Sequence, residues 1–315
     1  MTVPMIVPPR IRHGQTIGVC APAGPVDPER LQKGLERLGK TFELRVADNI
    51  FAPRAVAVPS YLAASDAARA AELNAMLADP DVRCIVLARG GYGLMRILDE
   101  LDGSALVKDP KPIVGFSDAT ALLAWAYHLG VRGVHGPLGV QLGDLADEDI
   151  AHLVTLISEP RAPGKRPWTL AAHGTGVHRG PLVPANLTLA SMLVGTPWPL
   201  PLEGAIALFE EVGERPYELD RYLTQLTLTG ALRETKAVIV GELVRCRDPN
   251  PPAGGVDPDD AAMRAVLERI HAFGLPAATG APVGHGTRNE AIPFAAMCEL
   301  DLDAKTIEIT EPAVS

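Results

Sequence analysis

Ile113-Val114-Gly115-Phe116-Ser117-Asp118-Ala119-Thr120-Ala121-Leu122-Leu123-Ala124-Trp125-Ala126-Tyr127-His128-Leu129 changes period in mid-stretch. Residues 113 to 116 form a short apolar run of buried-strand length. From Asp118 onward, Leu122, Leu123, Ala126 and Leu129 recur at helical spacing. A strand therefore runs straight into a helix with a serine at the junction. Working outward, the same alternation repeats upstream. Ile17 to Cys20 reads as a strand, and Asp27-Pro28 opens a helix carrying Leu31, Leu35 and Leu38 on one face. Ser65-Asp66 open an Ala-rich helix with Leu73, Met76 and Leu77, which ends near Asp79-Pro80 and gives way to the strand Cys84 to Ala88. Alternating strand and helix predicts a parallel sheet, and hence an α/β fold.

Downstream the pattern lapses. Between Glu159 and Pro184 the chain is rich in Pro, Gly, Arg and His, which reads as a connection between two domains. Beyond it, Asn186 to Val194 is expected to be a helix, Ile206 to Phe209 a strand, Pro216 to Leu228 a helix and Val238 to Leu243 a strand. A Pro/Gly loop at 248–260 merges into a helix from about Asp259 to Phe273. The alternation in CELDLDAKTIEIT around Asp303-Ala304-Lys305 predicts a closing antiparallel hairpin. The expected organisation is a parallel-sheet α/β domain over 1–160, a connection over 161–183 and a smaller mixed α+β domain over 184–315.

At roughly 150 residues per domain, the 315 residues suit two domains. With 47% hydrophobic and 21% charged residues, and mean hydropathy +0.12, each can bury a core, which excludes disorder as the main state. A net charge of −9 and a pI near 5.4 argue against a general nucleic-acid binder. The longest apolar runs, such as Ile85 to Ala88, fall far short of the ~20 residues that span a bilayer, so no membrane partner is expected. No export signal is visible at the N-terminus, which makes the cytoplasm the expected compartment. Four dispersed cysteines read as free buried thiols. No ligand-spaced Cys or His cluster occurs, so neither a metal nor a cofactor is expected.

Four short stretches can carry chemistry. In Gly115-Phe116-Ser117-Asp118, a strand-to-helix elbow would lift a nucleophilic hydroxyl above the sheet, with the following N–H groups aimed at an oxyanion. Alternatively Ser117 is simply a helix N-cap. The second glycine of the G-x-S-x-G elbow is missing, so that hydrolase family is not indicated. Arg89-Gly90-Gly91-Tyr92-Gly93 follows a strand, and its glycines permit close approach of backbone N–H groups to negative charge; a plain turn explains it equally well. No phosphate-loop motif is present. Glu210-Glu211 end a strand, and Gly284-His285-Gly286 lie in a loop, so a carboxylate could orient an imidazole. Two carboxylates acting together as in a glycosidase are disfavoured, because strand neighbours face opposite ways.

Taken together, CAPAGPVD, YLAASDAARAAELNAMLADPDVRCIVLARGGYG, PKPIVGFSDATALL, VHGPL, NLTLASMLVGTPW, LFEEVGERPYELDRYLTQL and APVGHG resemble, in this order, the LD-carboxypeptidases. These muramoyltetrapeptide carboxypeptidases include the microcin C immunity hydrolases. The resemblance implies a Ser-Glu-His triad of Ser117, Glu210 and His285, with Glu211 as the neighbouring candidate for the acid. It places the oxyanion hole on the backbone N–H groups of Gly91 and Asp118. It also implies an N-terminal domain similar to class I glutamine amidotransferases, an active site in the cleft between the domains, and a homodimer. The implied substrate is a murein tetrapeptide, cut between the L-centre of diaminopimelate or lysine and the terminal D-alanine. A peptidyl- or aminoacyl-nucleotide antibiotic is the alternative substrate, with Trp168 as a candidate for stacking on its base. A binding protein without catalysis could use the same scaffold. Where the family commonly has Gly-Gly-Asn, this chain has Pro184-Ala185-Asn186.

Overall fold

The computed structural model describes residues 5–52, 55–249 and 257–315. The chain divides into two compact units: Met1–Arg161 with Glu290–Phe294 and Pro312–Ser315, and Ala162–Asn289 with Ala295–Glu311.

In the first unit, β1 (Thr16–Cys20), β2 (Glu43–Val46), β3 (Val82–Leu87), β4 (Ile113–Gly115) and β5 (Val134–His135) pair in parallel in the order β5-β4-β3-β1-β2. A sixth strand, Ile292–Pro293, joins β5 in antiparallel sense from far along the chain. Ile85, Val86, Leu87 and Val114 are fully buried, as expected of strands covered on both faces. The helices begin where the sequence supplies caps. Asp27 accepts from the N–H groups of Glu29 and Arg30 at the start of α1 (Pro28–Leu38), and Ser65 accepts from Ala68 at the start of α2 (Asp66–Ala78). Each such cap contributes about 1 kcal/mol. After α3 (Gly103–Lys108), α4 (Thr120–His128) leaves the end of β4 with Thr120 to Ala126 all buried. A helix enclosed on every side cannot shift, so it fixes the junction at its start. The short α5 (Gly139–Leu142) and α6 (Asp147–Ser158) complete this unit.

The second unit overturns one expectation. The stretch 161–183, expected to be a connection, supplies β6 (Gly164–Lys165), β7 (Ala171–His173) and most of β8 (Val177–Asn186) to a sheet of eight strands. Pro181, Pro184 and Gly180 disguise β8. Pairing with the neighbouring strand on one side stops at Leu182, so Pro184 pairs only with the strand on its other side, and its missing N–H is tolerated. Then come α7 (Leu187–Met192), β9 (Ile206–Val212), α8 (Pro216–Leu228), β10 (Ala237–Val244), α9 (Pro258–Ala272) and β11 (Ala277–Thr279). With Ile292–Pro293 counted as β12, the chain closes on the hairpin β13 (Ala296–Asp301) and β14 (Thr306–Ile309). β8, β9, β10 and β11 are parallel, and antiparallel strands flank them on both sides in the order β6-β14-β13-β8-β9-β10-β11-β7. Part of the loop expected at 248–260, residues 250–256, lies outside the described residues.

The four cysteines are free and buried, and burial pushes the Cys246 and Cys298 thiols up to about 12. Among the described residues, no helix is long and apolar enough to cross a membrane, and no group of His, Cys, Asp and Glu side chains is arranged to hold a metal ion.

Candidate active site

Ser117 stands at the carboxyl end of β4 with φ +62°, a left-handed conformation that a residue with a Cβ adopts at a cost of about 1–2 kcal/mol. It opens the 3₁₀ turn Ser117–Ala119, whose capping position is Phe116, and α4 beyond it is capped at Ala119, so Ser117 holds neither capping position. The N-cap reading of this serine is therefore corrected. The strain is held in place by the buried α4 behind it and by the loop after β3 beside it. A Cβ placed on Gly90 would lie 3.0 Å from Ser117 Cβ, 3.1 Å from its Oγ and 3.4 Å from the Asp118 nitrogen. Only glycine lets that loop come so close.

The Gly90–Leu94 loop is tied at both ends. The Gly24 N–H donates to the Gly90 carbonyl at 2.9 Å, and the Leu94 N–H donates to Asp118 Oδ2 at 2.9 Å. Arg69, with no exposed surface, donates to the Gly93 carbonyl at 3.0 Å, and also to the Pro22 carbonyl and Asp66. Gly91 lies between these anchors, exposed, with φ +99°. Burial raises the Asp118 carboxyl to about 6, with the Leu94 N–H and the Arg69 charge opposing the rise. Asp118 thus tethers the glycine loop through its side chain, while its own N–H follows the serine.

In the second unit, Glu210 and Glu211 lie inside β9 rather than beyond its end, and they face opposite ways. The two carboxylates have different partners. Glu211 accepts from Asn186 Nδ2 at 2.8 Å, from the Thr188 N–H at 2.8 Å and from Thr188 Oγ1 at 2.7 Å, so it anchors the passage from β8 into α7. Asn186 also caps that helix, accepting from the Leu189 N–H at 3.2 Å. Glu210, fully buried, has its Oε2 2.6 Å from His285 Nδ1. A carboxylate only accepts, so Nδ1 carries the proton and Nε2 is left as the basic atom. Burial of the ring disfavours the imidazolium, but Glu210, with a smaller contribution from Glu211, outweighs it against an opposing Arg245 charge. His285 therefore titrates above an unperturbed histidine.

The loop that presents His285 is pinned on each side of it. Gly284 N–H donates to Asn289 Oδ1 at 3.1 Å, and Gly286 N–H donates to Glu242 Oε2 at 2.6 Å. Glu242 reaches this loop because the register of β10 against β9 slips between Val240 and Leu243, and its own N–H bonds the Val283 carbonyl at 2.9 Å. Sequence reading missed Glu242, Asn289 and Arg69. A bulge signal was available in Gly241, since a glycine inside a strand often marks one, but nothing in the sequence pointed from it to His285.

A buried carboxylate that fixes the tautomer of an imidazole, and a strained serine beside a glycine loop, are the equipment of a hydrolase with a serine nucleophile. Comparison with known proteins gives the family. Residues 17–136 match the LD-carboxypeptidase N-terminal domain and residues 179–300 the LD-carboxypeptidase C-terminal domain, so the chain belongs to this family of serine peptidases. A Streptomyces coelicolor relative, a carboxypeptidase by name only, is 34% identical across 98% of both chains. The murein tetrapeptide carboxypeptidase of Pseudomonas aeruginosa is 29% identical over 88% of this chain and 90% of its own. The Escherichia coli microcin C7 self-immunity protein MccF is 27% identical over 99% of this chain and 97% of its own. The structure of MccF in complex with aspartyl sulfamoyl adenosine shares the fold, with a TM-score of 0.85 over 98% of this chain and 100% of that one at 23% identity.

Proposed function

We propose that this hydrolase is an LD-carboxypeptidase, cutting a murein tetrapeptide between the L-centre of its diamino acid and the terminal D-alanine. In this reading Ser117 is the nucleophile, His285 the general base and Glu210 the acid that orients it. The observation that carries it is the contact of 2.6 Å between His285 Nδ1 and Glu210 Oε2, formed across 75 residues of sequence. Ser117 belongs to the first unit, and Glu210 and His285 to the second.

His285 Nε2 takes the proton of Ser117 Oγ as the oxygen attacks the carbonyl carbon. The N–H groups of Gly91 and Asp118 stabilise the resulting oxyanion. The C–N bond then breaks, and the proton on Nε2 passes to the departing D-alanine nitrogen. Water, deprotonated by the same imidazole, releases the tripeptide from Ser117.

A nucleotide-antibiotic substrate, suggested by the relationship to MccF, has weaker support. Trp168, the candidate for stacking on a base, is buried, with only 7% of its surface exposed. Incubation with a murein tetrapeptide, with free D-alanine followed by mass spectrometry, tests the proposal. Release by wild type is expected. Cleavage of an aminoacyl sulfamoyl adenosine in its place would favour the alternative.

A further inference from the structure

An enzyme that removes one C-terminal residue meets two groups close together: the carbonyl it attacks and the free carboxylate one residue further on, the Cα atoms of the two residues being about 3.8 Å apart. A cation near the nucleophile favours a chain end over an internal bond, and the planar fork of an arginine suits a carboxylate well. In parallel α/β sheets, ligands bind beyond the carboxyl ends of the strands, where Ser117 lies. The described residues of the loops leaving those ends are 21–27, 47–52, 55–65, 88–96, 116–119 and 136–138, and they contain two cations, Arg89 and Arg96. Arg96 is committed, since its Nε and terminal nitrogen bond Asp66 Oδ2 at 3.0 and 2.6 Å. Arg69, on α2 next to this loop, is fully buried and engaged with Asp66 and backbone carbonyls.

Arg89 differs from both. It is exposed, it donates to the neutral carbonyl of Pro25, and among the described residues it forms no ion pair. Its chain neighbour Gly90 is the residue packed on Ser117. A Cβ on Gly24 would lie 2.9 Å from the Gly90 carbonyl oxygen and 3.7 Å from Arg89 Nε, so the arginine side chain lies along Gly24 and Pro25, the stretch that is itself bonded to the glycine loop through the Gly24 N–H. We propose that Arg89 binds the terminal carboxylate of the substrate and restricts cleavage to the last residue of the peptide. The inference rests on the carboxypeptidase reading. It makes Arg89–Gly93 a single device, with the Gly91 N–H receiving the developing oxyanion and the arginine holding the carboxylate of the departing residue.

The purified full-length protein, with Arg89→Met and Arg89→Lys, is tested on two tetrapeptides that differ only at the end: a free D-alanine carboxylate and a D-alanine amide. Wild type is expected to favour the acid by roughly 10- to 100-fold in kcat/KM, the range for losing a charge-assisted hydrogen-bonded pair. Arg89→Met is expected to abolish that preference mainly through KM, and Arg89→Lys to restore part of it. If Arg89 only staples the loop to Pro25, both peptides will slow by the same factor and the preference will survive, which overturns the proposal. A wild type without preference also overturns it. A wild type that cleaves neither peptide defeats the carboxypeptidase reading itself, and this assignment with it.

Discussion

The surroundings of Ser117 and of His285 solve opposite problems. Around Ser117 the backbone does the shaping: a left-handed serine, a glycine loop pressed against it, and a wholly buried helix that leaves the strained residue nowhere to relax. Around His285 the side chains do it: Glu210 from β9 holds the ring, while Glu242 from β10 and Asn289 hold the loop through its N–H groups. Constraint by backbone tolerates no added atom, whereas constraint by carboxylates brings charge and ties the site to pH.

The largest effect follows from removing the nucleophile. Ser117→Ala is expected to lower kcat for D-alanine release by about 10⁴-fold or more, with the fold retained by circular dichroism; comparable turnover would place the nucleophile elsewhere. Glu210→Gln keeps the shape beside His285 and removes the charge, so a loss of about 10³-fold is expected. Its sign with pH is fixed. The neutral imidazole is the active form, so kcat/KM falls as pH drops through a pKa that lies above the usual histidine value of about 6.5. Without the Glu210 charge the midpoint of that limb should move to lower pH. Glu211→Gln separates the two neighbours, because its carboxylate holds Asn186 and Thr188. It should destabilise by about 1–3 kcal/mol in denaturant titration and lower kcat far less than Glu210→Gln.

Added methyl groups compare the regions directly. A Cβ at position 286 would sit 2.1 Å from Glu242 Oε2, the end of a flexible side chain, whereas one at position 90 would sit 3.0 Å from Ser117 Cβ on fixed backbone. Gly286→Ala should therefore reduce kcat by about 10-fold as Glu242 swings aside, and Gly90→Ala by about 100-fold, the scale of an ångström-sized misplacement. The reverse order would contradict the contrast. The smallest effect is on stability. Asp118 is buried with its carboxyl raised to about 6, so ionising it disfavours the folded state above that pH. Asp118→Asn should raise the melting temperature at pH 8, and the gap should close as pH falls from 6 towards 4.

The same contrast governs what the sequence reveals. The first unit is written locally: each strand is a short apolar run, each helix a stripe with a cap, and Ser117 lies where one period replaces the other. The second unit hides more. Pro181 and Pro184 conceal β8 because a proline in a sheet depends on whether a neighbour needs its N–H, which is a matter of pairing rather than of sequence. Glu210 and His285 are unremarkable when taken alone and acquire meaning only through contact or resemblance. Glu242 is invisible for the same reason, since its role arises from a register slip between strands.

The most direct test is whether His285 activates Ser117. A fluorophosphonate that phosphonylates activated serines, followed by peptide mass spectrometry, measures this on wild type and on His285→Ala. Labelling is expected at Ser117 alone, at a rate that falls at least about 100-fold in the variant, the lower end of general-base contributions. Labelling at another serine, or at Ser117 with an unchanged rate, would contradict it.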